Sequence, residues 1–284
     1  MLTLEAAQYQ RVSGVPEAAR RSGTQAALWL GALLGEQIDR TTRCFERSEV
    51  TFNVCVSTMM DMPFTTGWLD WRAVRAAARR HTCFAPENFT PAYECAGWGF
   101  MLAYARRRCA PGSVAIISVV DINLLDLSFW RENEAWGKSG FGVATIAIRM
   151  PAAGALRLET GLSRSAWPMG EFCVRLREWL DQSSSRLANT PFLPAGMDSI
   201  YPRFLDTRRL MPNLHAEYGH AFGSDTWIAF IAALGQGARD ENDVFTATSA
   251  SLRGCWAMAD LRIARDATLA FAHEAEAAKC EVRA

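Results

Sequence analysis

Two residues with reactive side chains stand in turns of small residues, each just ahead of an apolar run. The first is Cys95, in AYECAGWGF (residues 92–100), and the chain continues to Arg108 with the pattern of a helix. A thiol attacks an acyl carbon only as thiolate, and a free cysteine is mostly protonated at neutral pH. The start of a helix offers unpaired backbone N–H groups and about half a positive charge, which lowers a thiol pKa and can receive an oxyanion. Gly97 and Gly99 leave room for a ligand to approach the backbone. The second residue is His220, in AEYGHAFGSD (216–225), followed by TWIAFIAALGQGA (226–238). A histidine within reach of a thiol serves as base or steadies a developing oxyanion. Each residue also has a plainer reading: Cys95 as a packed structural cysteine, His220 as a loop histidine with surface hydrogen bonds.

The elements that must position them read as an α/β protein. Strand patterns occur at 51–60, 113–120, 141–150, 243–251 and 255–263, several of them continuous apolar runs suited to burial on both faces. Helical spacing occurs from Pro16 to Cys44 and at 68–80, 171–187 and 226–238. The tail from Arg265 reads as a surface helix, and residues 192–210 are mixed. In each half a glycine-bearing loop leads into an apolar helix and then two strands. This suggests two similar halves packed face to face, 1–150 carrying the Cys95 turn and 151–284 carrying the His220 loop.

Composition narrows the class further. Half of the 284 residues are hydrophobic, and 30 basic residues balance 30 acidic ones, so nothing points to nucleic acid or an anionic membrane. The start MLTLEAAQYQRVSG lacks the pattern of a signal peptide, and no apolar run reaches membrane-spanning length, so a cytoplasmic protein is expected. None of the eight cysteines forms a C-x-x-C pair, and reduced thiols are expected. His81-x-Cys83 has no second ligand pair nearby, so no metal site is expected, and His215 reads as a surface residue. Arg106, Arg107 and Arg108 read as the solvated end of a helix, with a coenzyme A phosphate as the sharper alternative.

Four blocks, in order, resemble the thiolase superfamily and especially ketoacyl-ACP synthase III. Glu94–Phe100 is similar to the family's nucleophile turn, and GFGVATIAI (140–148) to its Phe-Gly-Asp-Gly-Ala-Gly strand. YGHAFGSD (218–225) falls where the synthases carry Gly-Asn-Thr-Ser and resembles the Gly-His loop of thiolases. Residues 243–263 resemble the C-terminal hairpin. The resemblance implies a five-layer α-β-α-β-α fold made of two similar halves, usually dimeric. It implies Cys95 and His220 as catalytic residues; Gly97, Trp98, Gly219 and Ser251 are expected along the substrate path, Trp98 because it neighbours Cys95. It further implies a coenzyme A or acyl-carrier-protein thioester as substrate, no cofactor, and a homodimer or a heterodimer with a related synthase.

The departures matter too. Ala195, in LPAGMD (193–198), stands where the family has its first catalytic histidine, and the hairpin turn Ser249–Gly254 keeps one glycine. No Gly-Ile-Gly first strand is recognisable in residues 1–16. Loss of one oxyanion donor typically costs about 2.7–4 kcal/mol, so acyl transfer survives this departure better than decarboxylative condensation. The leading expectation is an acyltransferase of polyketide, fatty-acid-like or other specialised metabolism. A non-catalytic partner subunit of an active ketosynthase and a carbon–carbon bond-forming condensing enzyme stay open.

Overall fold

The computed structural model describes residues 1–151, 157–235, 240 and 242–272. The first half contributes β1 (Leu2–Arg11), α1 (Gly23–Thr42), β2 (Val50–Val56), α2 (Trp71–Ala78), β3 (Asn88–Thr90), α3 (Gly97–Arg108), β4 (Val114–Asp121) and β5 (Gly142–Arg149). The second contributes β6 (Leu158–Leu162), α4 (Pro168–Asp181), β7 (Leu187–Ala188), α5 (Asp225–Leu234), β8 (Val244–Ala250) and β9 (Cys255–Phe271).

The strands run β3-β2-β4-β5-β1 in the first half and β7-β8-β9-β6 in the second. The pairings match. β2 is parallel to β3 and β4, while β4–β5 and β5–β1 are antiparallel. β7 is parallel to β8, while β8–β9 and β9–β6 are antiparallel. Where the first half has β3, the second has a single parallel bridge from Ala188 to Leu210. The far half of β9 pairs in parallel with β1 and joins the two sheets edge to edge.

The buried clusters show the layering. One core holds Trp98 and Leu102 of α3 and Trp227 and Phe230 of α5 between strand residues of both sheets, such as Ile117 and Ala257. On the outer face of the first sheet, Leu30 and Leu34 of α1 and Val74 of α2 pack over Cys55 and Val120. On the outer face of the second, Phe172 and Leu176 of α4 pack over Met258. The result is five layers, with α3 and α5 in the middle. No helix among the described residues is long and apolar enough to cross a membrane.

Two expectations need correction, and a third reaches past the described residues. Residues 2–11 do form a first strand, and it is central. Glu5, Gln8 and Gln10 hide its pattern, but Leu2, Leu4, Ala6, Ala7 and Tyr9 are buried, and Glu5 pairs with Arg149 at 2.5 Å. The reach from Arg265 to Phe271 is the end of β9, because β1 supplies it with a partner; residues beyond 272 lie outside those described. The apolar helix after His220 ends at Leu234, and the end of the stretch read as helix, 236–238, lies outside the described residues.

Candidate active site

Cys95 sits in the link between β3 and α3. Tyr93 and Glu94 are both left-handed, with φ 70° and 48°, and lead into a single 3₁₀ turn, Glu94–Ala96, before α3 starts at Gly97. Left-handed backbone at such residues costs of order 1–3 kcal/mol and persists only where surroundings fix it. Here the Tyr93 ring stacks flat on Phe100 at 3.9 Å, and Glu94 pairs with Arg253 at 2.9 Å. Arg253 belongs to the turn between β8 and β9, so the second half helps hold the Cys95 turn of the first.

His220 lies in the corresponding link before α5. Its main chain is stitched to residues 138–140: His220 N–H donates to the Lys138 carbonyl and Gly140 N–H to the His220 carbonyl. Gly219 before it has φ +74°, and a Cβ there would meet the Lys138 oxygen at 2.7 Å, so glycine is required. On the side chain, Nδ1 stands 2.7 Å from Oδ2 of Asp225. The contact is short but off the line of a good ring N–H hydrogen bond, since Nδ1 has no aligned acceptor; it places the carboxylate where it favours a proton on the ring. Asp225 is itself fixed in the first turn of α5, where its oxygens accept from the N–H groups of Phe192 (2.9 Å) and Ala221 (2.6 Å).

A second buried carboxylate ties the loops together. Asp121, at the end of β4, accepts from Thr58 N–H (2.7 Å), Ser57 Oγ (3.2 Å) and Gly223 N–H (3.1 Å). Thr58 in turn directs its hydroxyl at Cys95 Sγ, 3.9 Å away. A Cβ on Gly223 would meet Val119 at 2.8 Å and the Cys95 carbonyl at 3.3 Å, so the Cys95 and His220 links pass close to each other.

The electrostatics differ from the sequence expectation at the thiol. Burial, then the charges of Asp121, Asp225 and Glu94, push the Cys95 pKa up, against only a small opposing effect from Thr58. A helix start was expected to lower it, but α3 begins two residues later. At His220 burial favours the neutral ring, yet the Asp225 charge and contact outweigh it and raise the pKa above the ordinary value. Asp121 is raised to about 6, chiefly by burial, with its three hydrogen-bond donors opposing. The surroundings thus favour the thiol over the thiolate at Cys95, while Asp225 makes the His220 imidazole more basic.

Cys95 and His220 line one cavity of 570 Å³, in the size range of small-molecule sites. Ser251 also lines it; its Oγ accepts from Cys255 N–H at 3.0 Å in the β8–β9 turn. The other residues expected along the substrate path do not line it. Trp98 is fully buried in the central layer, where Nε1 donates to Ser249 Oγ at 2.6 Å and the ring meets Trp227 edge-on. Gly97 is buried against Val56, and Gly219 serves its turn. Ala195 is exposed and outside the lining, although Leu193, Gly196 and Met197 are in it. Arg106–Arg108 end α3, about 15–18 Å along its axis from the turn. The cations beside the cavity are Arg203 and Arg253.

Sequence reading missed Asp225, Asp121, Thr58 and the aromatic residues Phe129, Trp130, Trp136 and Phe222 that line the cavity. Asp225 left one signal: it is the lone charge at the head of an otherwise apolar helix. Asp121 left a similar one, closing a fully buried strand.

No family model and no curated protein matches the chain by sequence. Solved structures match over nearly its whole length. A 3-oxoacyl-(acyl carrier protein) synthase III from Pseudomonas aeruginosa PAO1 is 16% identical with a TM-score of 0.59, covering 92% of this chain and 98% of that one. The tetronic acid condensing enzyme AbyA1 is 12% identical with a TM-score of 0.62, covering 92% and 98%. ChlB3, named as an acyltransferase, is 12% identical with a TM-score of 0.64, covering 95% and 99%. At such identities the likeness is one of architecture. It agrees with the matched strand orders of the two halves and the five layers, and this chain has a thiolase-like fold similar to that of the ketoacyl synthase III structures.

Proposed function

We propose that this chain is an acyltransferase that takes an acyl group from a coenzyme A or carrier-protein thioester onto Cys95 and passes it to an acceptor. The observation that carries this reading is the pairing of His220 with the buried Asp225 in the cavity that holds Cys95. The Cys95 S–H gives its proton to the imidazole as Sγ bonds to the acyl carbon. The thioester C–S bond then breaks, and the leaving thiolate takes the proton back from the imidazolium. In the second half-reaction the same ring takes the acceptor's proton as the acceptor bonds to the acyl carbon, the bond from that carbon to Cys95 Sγ breaks, and the imidazolium returns the proton to the Cys95 thiolate. Asp225 is a positioning residue that stabilises the imidazolium.

Support for acyl transfer over decarboxylative condensation comes from Ala195, which places no polar group in the cavity. One observation favours the reading of a non-catalytic partner subunit: the upward push on the Cys95 thiol. The test separates the two. After incubation with a panel of acyl-CoA thioesters, intact-protein mass spectrometry is expected to show one added acyl mass, lost in Cys95→Ala. No adduct from any thioester, coenzyme A- or carrier-bound, would rule out the acyltransferase. We place this activity in the cytoplasm and in specialised metabolism. The chain would act as a homodimer, or a heterodimer with a related synthase, formed through the β3 edge beside the Cys95 turn.

A further inference from the structure

We infer that the acyl group this cavity receives is aromatic, an inference that rests on the acyl-transfer reading above. The wall beside Cys95 is a connected set of rings. Phe129, Trp130 and Trp136 come from the segment after β4, and Phe222 from the link after His220; all four line the cavity. Trp130 lies over Trp136 at 6.0 Å with planes 25° apart, and Phe222 meets both rings edge-on at 5.6 and 5.7 Å. Phe129 meets Trp136 at 90° and 5.3 Å, and the set ends on the His220 ring, 4.8 Å from Phe222. Cys95 packs in the same apolar cluster as Trp136 and Phe222.

The wall is built in advance. Trp136 donates through Nε1 to Ser139 Oγ at 2.8 Å, and its carbonyl lies 2.9 Å from His215 Nε2. The head of the segment is clasped by Asn123, which both donates to the Leu127 carbonyl and accepts from its N–H. Fixed faces and edges reward a flat ring with offset and edge-on contacts that a chain of methylenes does not make. A flexible chain would also lose rotamer freedom in a rigid slot. By apolar area alone, however, a seven-carbon straight chain outranks a seven-carbon benzyl group. The two explanations thus predict opposite rankings.

The test uses unreactive thioethers, S-benzyl-pantetheine and S-heptyl-pantetheine, titrated against the whole protein by tryptophan fluorescence. The benzyl compound is expected to bind at least threefold tighter. Equal binding, or a heptyl preference, overturns the inference. Trp130→Leu is expected to cut the benzyl-to-heptyl ratio by threefold or more, while Trp130→Phe keeps most of it; an unchanged ratio in a folded Trp130→Leu protein also overturns it. If Trp130→Leu does not fold, the wild-type ranking decides alone. Mass spectrometry with benzoyl- and heptanoyl-pantetheine reports separately on acyl transfer. Failure of both to load Cys95 rejects that activity, while the thioether ranking still decides what the cavity prefers.

Discussion

The Cys95 turn and the His220 turn occupy matching places in the two halves, each in the link that leads into a central helix. Both use the same local device. A left-handed aromatic residue, Tyr93 in one and Phe222 in the other, sits beside one 3₁₀ turn, and an apolar helix follows. They differ in what the helix start carries. The first turn of α5 holds Asp225, while that of α3 holds no acid. The consequence is a division of labour. On the proposed acyl-transfer reading, the second half supplies the base, an imidazole with a fixed counter-charge, and the first presents a thiol whose proton the buried carboxylates help retain. A thiol held up in this way needs a base at the moment of attack, so neither turn is sufficient alone.

The largest effect should come from removing the base. His220→Ala is expected to slow Cys95 acylation by roughly 10²–10⁴, the range for a positioned acid or base. Single-turnover acylation followed by intact mass measures it. A loss under about threefold would mean that the two turns are not coupled.

Asp225→Asn should cost less, about 10- to 100-fold, as where a partner orients a working histidine at a metal. A structural role alone would also lower the rate, so the pH profile decides. The base works only as neutral imidazole, so the wild-type rate should fall as pH drops through the raised pKa of His220. Without the Asp225 charge, burial dominates and the pKa falls, moving that limb to lower pH. A limb that stays in place contradicts the assigned role.

How far the sequence revealed this can be judged residue by residue. The strands of β4 and β5 were legible because burial on both faces makes them nearly continuous apolar runs, and β8 because Val, Phe and Thr favour a strand. Both turns were legible because glycines and an apolar helix bracket each one. β1 was not, since its partners β5 and β9 are over 130 residues away and its buried Gln8 breaks the pattern. The direction of the thiol pKa was not either. It depends on Asp121 and Asp225, which are remote from Cys95 in sequence and meet it only through the matched links. Trp98 was placed on the substrate path by adjacency in sequence, but the helix turns it into the central layer.

Asp121 sharpens the comparison from the side of stability. Its folded pKa of about 6 lies above the ordinary 3.8. Between those values the folded protein keeps a proton that the unfolded chain has lost. Its stabilising contribution is therefore complete below pH 3.8 and lost as pH rises through 6. A shift of this size corresponds to about 2–3 kcal/mol. Relative to Asp121→Asn, the wild type should lose roughly that much unfolding free energy between pH 4 and pH 7, read from urea midpoints. A pH-independent difference would show that the three donors, not burial, govern this carboxyl.

The smallest effect should come from relaxing the Cys95 turn itself. Tyr93→Gly removes a left-handed cost, which glycine does not bear, but also removes the flat stack on Phe100, about 0.5–1.5 kcal/mol for a favourable ring pair. Tyr93 is 40% exposed, so it loses less burial than a core ring would. The two changes oppose each other, and the net stability change should stay within about 1 kcal/mol, or a few degrees in Tm for a chain of this size. The matching test is Phe222→Gly. Phe222 is also left-handed but buried at 3% exposure among the rings of the cavity. Relief of the backbone is there outweighed by the loss of a packed ring, about 3–5 kcal/mol. Differential scanning fluorimetry of the two variants should therefore separate them clearly. Equal destabilisation would mean that the Tyr93 stack carries as much of the fold as the Phe222 cluster, and that the strained backbone of the Cys95 turn contributes nothing to offset its loss.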